Sequence, residues 1–220
     1  MSQELLAALV AVVIILLIAF PVHEFSHALA AFRLGDSTAR FMGRLTLDPR
    51  AHFDPIGGGM LALSALISGG NFFFGYAKPT PVNPTNLEGG RRGEALVALA
   101  GPASNLIMAA LVALPLRVLF ASPELSAGVA QSDVAEFVLR IAVFFVVINV
   151  FLFLFNLIPI PPLDGWKVLT GLVDARTAYS LRQIEQYAFI LIIGVFFLGG
   201  RVLLPIARVI LELFLGFSPI

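Results

Sequence analysis

The chain has 220 residues, of which 59% are hydrophobic and 13% charged, with 14 basic and 14 acidic side chains in balance. A soluble domain carries roughly 25% charged residues, so a soluble enzyme and a disordered chain are both excluded and a polytopic membrane protein remains. The charge balance leaves no strong field to draw nucleic acid, and the absence of Cys excludes disulfides and thiolate metal sites.

The first apolar run covers residues 5–31. It begins like a signal peptide, but it carries Glu4 where a basic n-region belongs and is too long for a signal core, so it is expected to be a retained span. The second run covers 94–120, the third 134–158 and the fourth 184–214, the last interrupted by Gly199, Gly200 and Arg201. Each reaches the ~20 residues that a hydrocarbon core demands. The fourth is long enough for one tilted helix, or for a span followed by an interfacial helix. Between the first two runs, residues 55–76 are apolar but broken by Gly57, Gly58, Gly59, Gly69, Gly70 and Gly75. That pattern predicts a re-entrant or short β-like segment covered by other protein. Residues 77–84 follow, Ala-Lys-Pro-Thr-Pro-Val-Asn-Pro, an extended stretch that continues no helix. The expectation is one all-α membrane domain over 1–220, with four to six transmembrane helices.

Orientation follows from Lys and Arg. Arg33, Arg40, Arg44, Arg50, Lys78, Arg91 and Arg92 lie after the first span, and Lys167, Arg176 and Arg182 after the third. The loop of thirteen residues between them, 121–133, holds no base. The basic side is expected to be cytoplasmic, with the N-terminus outside, in a multi-pass protein of the cell membrane.

An ionisable side chain inside a span costs about 2.5–3.5 kcal/mol on insertion scales and asks for a reason. The first span contains His23-Glu-Phe-Ser-His27. At helical spacing the two histidines share a face. Two such imidazoles can bind one divalent metal, and Glu24 can act on a metal-bound water. The alternative is a pair of neutral histidines bonded to nearby carbonyls. Counting ten residues back from Arg33 puts His23 roughly 15 Å below the cytoplasmic boundary. Pro21 either kinks the helix into the site or merely bends it. A catalytic zinc usually takes three protein ligands. With no Cys and one other His, the third is sought among carboxylates at the cytoplasmic ends of other spans. Asp164 fits, on extended chain after Pro159, Pro161 and Pro162, with Gly165 letting the backbone turn; its alternative role is to cap a helix starting at Trp166. His52, beside Asp54, reads as a structural hydrogen-bonder. Asn149 shares a helix face with Asn156 and suits a helix-to-helix hydrogen bond. Trp166 is expected at the interface as an anchor, and the 20 Phe as lipid-facing and packing residues.

With these residues in hand, the chain resembles the site-2 proteases, intramembrane zinc metalloproteases. The resemblance runs from about residue 5 to 175 and rests on His23 to His27, Gly101-Pro-Ala-Ser-Asn105 and the stretch from Asn156 to Gly165. Gly35-Asp-Ser-Thr-Ala39, His52-Phe-Asp-Pro55 and Gly75 to Pro84 resemble segments of its compact bacterial branch, without an inserted PDZ-like module or nucleotide-sensing tail. It implies one Zn2+ per chain on His23, His27 and Asp164, with Glu24 as general base. It further implies that Asn156 binds substrate backbone or steadies the oxyanion, and that Asn105 packs or touches substrate. The expected partners are a transmembrane protein substrate and the bilayer, and no nucleic acid. Two rival classes are a metal transporter, which the purely apolar outer halves of the spans disfavour, and a scaffold that binds transmembrane helices without cutting them, which retention of Glu24 disfavours.

Overall fold

A computed structural model describes residues 3–69 and 73–220. The first span is one continuous rod: α1 (Gln3–Ile14), a π-helical turn (Ile15–Ala19) and α2 (Phe20–Arg33). The wide turn has a cause. Pro21 has no N–H and its ring crowds the carbonyl four residues back, Leu17, which lies inside the π turn. Two four-residue helices follow, α3 (Thr38–Phe41) and α4 (Pro49–His52), and then α5 (Pro55–Ile67). After the extended stretch come α6 (Arg91–Ala121), α7 (Pro123–Ala130) in the loop that follows it, and α8 (Asp133–Asn156). The chain then forms α9 (Asp164–Leu172), α10 (Ala175–Leu181), a 3-10 turn (Arg182–Tyr187) and α11 (Ala188–Leu215).

Leu9–Arg33, α6 and α8 are each long and apolar enough to cross a membrane, and a pair bent by 66° between Val195 and Phe197 supplies up to one more. That gives three to four spans against the four to six expected, with the break three residues before the Gly199-Gly200-Arg201 interruption. For the stretch 55–76 the β-like alternative is corrected. No strand occurs among the described residues, and 55–67 is a 13-residue α-helix, begun by Asp54, whose carboxylate caps the N–H groups of Ile56 and Gly57. The glycines serve contact: Gly57 and Gly58 are buried against Tyr76 and Phe53. Gly70 lies outside the described residues.

Helix α6 is the hub, touching α2, α8, α9 and α11. Its small side chains Ala109 and Ala113 are fully buried with Val146 and Val150 of α8 and Ala207 and Leu211 of α11. Without a hydrophobic driving force between helices in lipid, such small residues let backbones approach closely. A second cluster joins Ala11, Val12 and Ile15 to Leu61 and Ala65 of α5 and Ile148 of α8. Two expectations change. Trp166 is buried, its indole N–H donating to Glu185 Oε1 at 3.0 Å, so it ties α9 to the 3-10 turn rather than anchoring in an interface. Arg44, counted above among the bases that set orientation, is buried among backbone carbonyls.

Asp36 pins the end of the first rod to the extended stretch. It is fully buried and accepts from the Thr38 N–H and hydroxyl, the Asn83 N–H at 2.7 Å and the Asn86 amide. Burial pushes its carboxyl up, and the four donors outweigh burial and hold it below the ordinary value of 3.8. Because the folded value is the lower one, the stabilisation is complete above pH 3.8 and is lost as the pH falls through the folded value. Acidification should therefore free residues 83–86 only below pH 3.8, whereas Asp36→Ala should free them at neutral pH; proteolysis and hydrogen exchange of that segment check both.

Candidate metal centre

His23 and His27 stand one turn apart on α2, both buried, with ring centroids 4.7 Å apart. Asp164 reaches them from the first turn of α9, 141 residues away in sequence. The two Nε2 atoms are 3.0 Å apart, and Asp164 Oδ2 lies 3.1 Å from one and 3.2 Å from the other. Among the described residues these three form the one group of ligand-type side chains whose donor atoms all lie within 4.8 Å of one another.

The protons on the imidazoles can be assigned from their other nitrogens. His27 Nδ1 is 2.7 Å from the carbonyl oxygen of Val97, which only accepts, so Nδ1 carries the hydrogen. For His23 the assignment runs through two asparagines. Asn149 Nδ2 donates to the Phe145 carbonyl at 2.9 Å, so its oxygen faces Asn105 and accepts from Asn105 Nδ2 at 2.9 Å. Asn105 Oδ1 is thereby turned to His23 Nδ1 at 2.6 Å and takes its hydrogen. Both neutral rings then present bare Nε2 lone pairs. Three acceptors converge with no hydrogen among them, which is the donor set that a divalent cation needs. Ligands about 2.0–2.1 Å from a tetrahedral zinc stand about 3.3 Å apart, close to the 3.0–3.2 Å observed.

The surroundings account for each placement. Asp164 opens α9 with Leu163 as the extended residue before it, and its carboxylate caps no N–H of that helix. It is thus neither on extended chain nor a cap. Gly165 is needed for close approach: a Cβ there would lie 2.3 Å from the Leu157 carbonyl oxygen. Glu24 is buried beside the histidines, and its Oε2 accepts the Thr80 N–H at 2.8 Å. A cleft of about 360 Å³ is lined by His23, Glu24, His27, Thr80, Asn156 and Asp164 among others. Asn156 spends one amide hydrogen on the Leu152 carbonyl at 2.9 Å. His52 stays apart: it is buried, with Nε2 2.8 Å from the Thr46 carbonyl. Asn149 makes its helix-to-helix hydrogen bond, to Asn105.

From sequence, Gly101 and Thr80 were only members of matching motifs and Arg44 only a base in the orientation count; none had a role in the site. Gly101 is the plainest case. A Cβ on it would lie 2.2 Å from His27 Nε2 and 2.6 Å from His23 Nε2, so the second-span motif opens with Gly because two imidazoles abut the α6 backbone. The only signal available was the motif itself.

The profile of "Peptidase family M50" matches residues 11–200. The chain is 38% identical over 198 residues to YwhC of Bacillus subtilis, covering 88% of this chain and 84% of that one. It is 33% identical over 182 residues to Rip2 of Mycobacterium tuberculosis (82% and 64%) and 32% over 171 to Rip2 of Mycolicibacterium smegmatis (78% and 60%). All three are named as zinc metalloproteases. No solved structure matches. The chain belongs to peptidase family M50, the family of the site-2 proteases.

Two variants test the geometry. Gly101→Ala should keep the helices, seen by circular dichroism, and lose bound zinc, seen by metal analysis. Asn105→Leu frees His23 Nδ1 and should weaken zinc binding about 10–100-fold, the usual cost of losing a partner behind a ligand.

Proposed function

We propose that this member of peptidase family M50 is an intramembrane endopeptidase that cuts membrane proteins within or beside their transmembrane segments. Family membership makes the chain a zinc metalloprotease; the residues that hold the metal, the site of cutting and the orientation are our assignment. The observation that carries it is the convergence of His23 Nε2, His27 Nε2 and Asp164 Oδ2 next to Glu24, with both histidines inside the span Leu9–Arg33.

His23, His27 and Asp164 hold the ion. When bound, zinc supplies a Lewis acid that polarises a peptide carbonyl and lowers the pKa of water toward about 7. Glu24 takes a proton from the attacking water and returns it to the leaving amine. Its carboxylate has one oxygen held by Thr80 and lines the same cleft as the three ligands. Asn156 has a second amide hydrogen, which it offers to the substrate carbonyl or the oxyanion. An intact substrate helix hides its carbonyls, so the substrate enters locally unwound. The cleft is also lined by Lys167 of α9 and by Glu94 in the first turn of α6, which mark one end of the bundle. The basic connections gather at this end, with Gly171 of α9 packed on the Arg91 carbonyl at the start of α6. By the bias of cytoplasmic loops toward Lys and Arg, we place this end in the cytoplasm, with the N-terminus outside. The whole of 1–220 acts as one domain.

The test is cleavage of single-span substrates in liposomes. Glu24→Gln should retain zinc and lose about 10²–10⁴-fold in rate. Asp164→Asn should lose the metal as well. Continued cutting by Glu24→Gln would sink the assignment of the base.

A further inference from the structure

The extended stretch after α5 spells Lys78-Pro-Thr-Pro-Val-Asn-Pro84. Proline has no N–H, so its donors are few, and three of them enter the protein. Lys78 N–H reaches the His52 carbonyl at 2.8 Å, Thr80 N–H reaches Glu24 Oε2 at 2.8 Å, and Asn83 N–H reaches Asp36 Oδ2 at 2.7 Å. Thr80 stands between two prolines, and Pro81 confines it to extended backbone. Its hydroxyl also donates to the Glu24 carbonyl at 3.0 Å. One residue thus grips both the carboxylate of Glu24 and the helix turn from which it springs.

The same peptide unit is held from its other edge. Arg44 Nη2 donates to the Pro79 carbonyl at 3.3 Å, and Nη1 donates to the carbonyls of Lys78, at 3.3 Å, and Ala51. The Pro79 C=O and the Thr80 N–H belong to one planar trans peptide. The guanidinium and the Glu24 carboxylate therefore sit on opposite edges of a single rigid plate. No carboxylate pairs with Arg44 among the described residues, although it is buried. A buried cation spent wholly on carbonyls marks the position of those carbonyls as what matters. It also polarises the peptide, strengthening the N–H that faces Glu24.

We infer that Arg44 is a positioning residue for Glu24, acting through the Pro79–Thr80 peptide to fix the carboxylate toward the cleft. This rests on Glu24 being the base, and the experiment separates the two. Turnover and KM on a single-span substrate, zinc content and thermal unfolding would be measured for Arg44→Ala, Arg44→Lys, Thr80→Pro and Thr80→Val. Arg44→Ala and Thr80→Pro should lower kcat about 10–100-fold, as loss of a hydrogen bond to a charged group does, with KM and zinc content unchanged. Thr80→Val keeps the N–H to Glu24 Oε2 and loses only the hydroxyl bond to the Glu24 carbonyl, so its loss of kcat should be smaller than that of Thr80→Pro. Arg44→Lys should recover part of the loss, since an ammonium can still serve one carbonyl. Unchanged kcat in Arg44→Ala and Thr80→Pro overturns the proposal. So does a loss of kcat that tracks zinc content or unfolding temperature, or failure of every variant to fold, because the role is then structural. Should Thr80→Pro alone fail to fold, the two Arg44 variants decide. Glu24→Gln runs alongside: if it still cuts, the base is misassigned, whereas an inert Glu24→Gln beside an unaffected Arg44→Ala removes only the bridge.

Discussion

Three lone pairs cannot be held within about 3 Å of each other in a low-dielectric interior unless something positive joins them. That constraint organises this molecule. His23 Nε2, His27 Nε2 and Asp164 Oδ2 converge from two elements far apart in sequence. The fold spends a whole helix hub on making them meet. Helix α6 lies against α2 on one side and α9 on another, and at their junction it offers the Val97 carbonyl, Gly101 and Asn105 within two turns. Each of these acts on a histidine of α2, one by accepting a hydrogen bond, one by making room, one by setting a tautomer.

The asparagine relay illustrates how magnitude separates orientation from stability. Hydrogen bonds between membrane helices contribute only about 0.6 kcal/mol on average. Asn105 and Asn149, both wholly buried, would be a poor investment as glue. Their value is direction. The Phe145 carbonyl can only accept, so it orients Asn149, which orients Asn105, which fixes the hydrogen of His23 on Nδ1. A backbone group of α8 thereby determines which nitrogen of α2 faces the cleft, and α8 ends at Asn156, in the cleft itself.

Much of this was legible from residues alone, for a physical reason. A charged or imidazole side chain in a span is costly, so His23, Glu24 and His27 stood out against an apolar background, as did Asp164 among prolines at the end of another apolar run. Span boundaries were legible because hydrocarbon thickness sets their length: α6 and α8 fall within three residues of the apolar runs at every end. What stayed hidden depends on contact. Three glycines in a row suggested broken backbone at 57–59, but a helix forms because neighbours seat against Gly57 and Gly58. Trp166 has the composition of an interface anchor and is claimed by Glu185 instead. Arg44 counted only as one of the bases that set orientation, since periodicity cannot reveal that three carbonyls enclose it.

The Pro-rich stretch connects these levels. A polar loop would be the easy means of bringing donors to a buried carboxylate, but every spare N–H and C=O at this depth is a cost. Proline lowers that cost by deleting donors, and it removes conformational freedom that ordering would otherwise have to overcome. What is left between Pro79 and Pro81 is one N–H, aimed at Glu24. Its opposite oxygen is held by the one kind of side chain whose planar fork can serve two successive carbonyls at once. The ends of the stretch are pinned as well, by His52 through Lys78 and by Asp36 through Asn83. A segment with almost no secondary structure is therefore as constrained as a helix, and it borders the cleft because its few polar groups already have partners there.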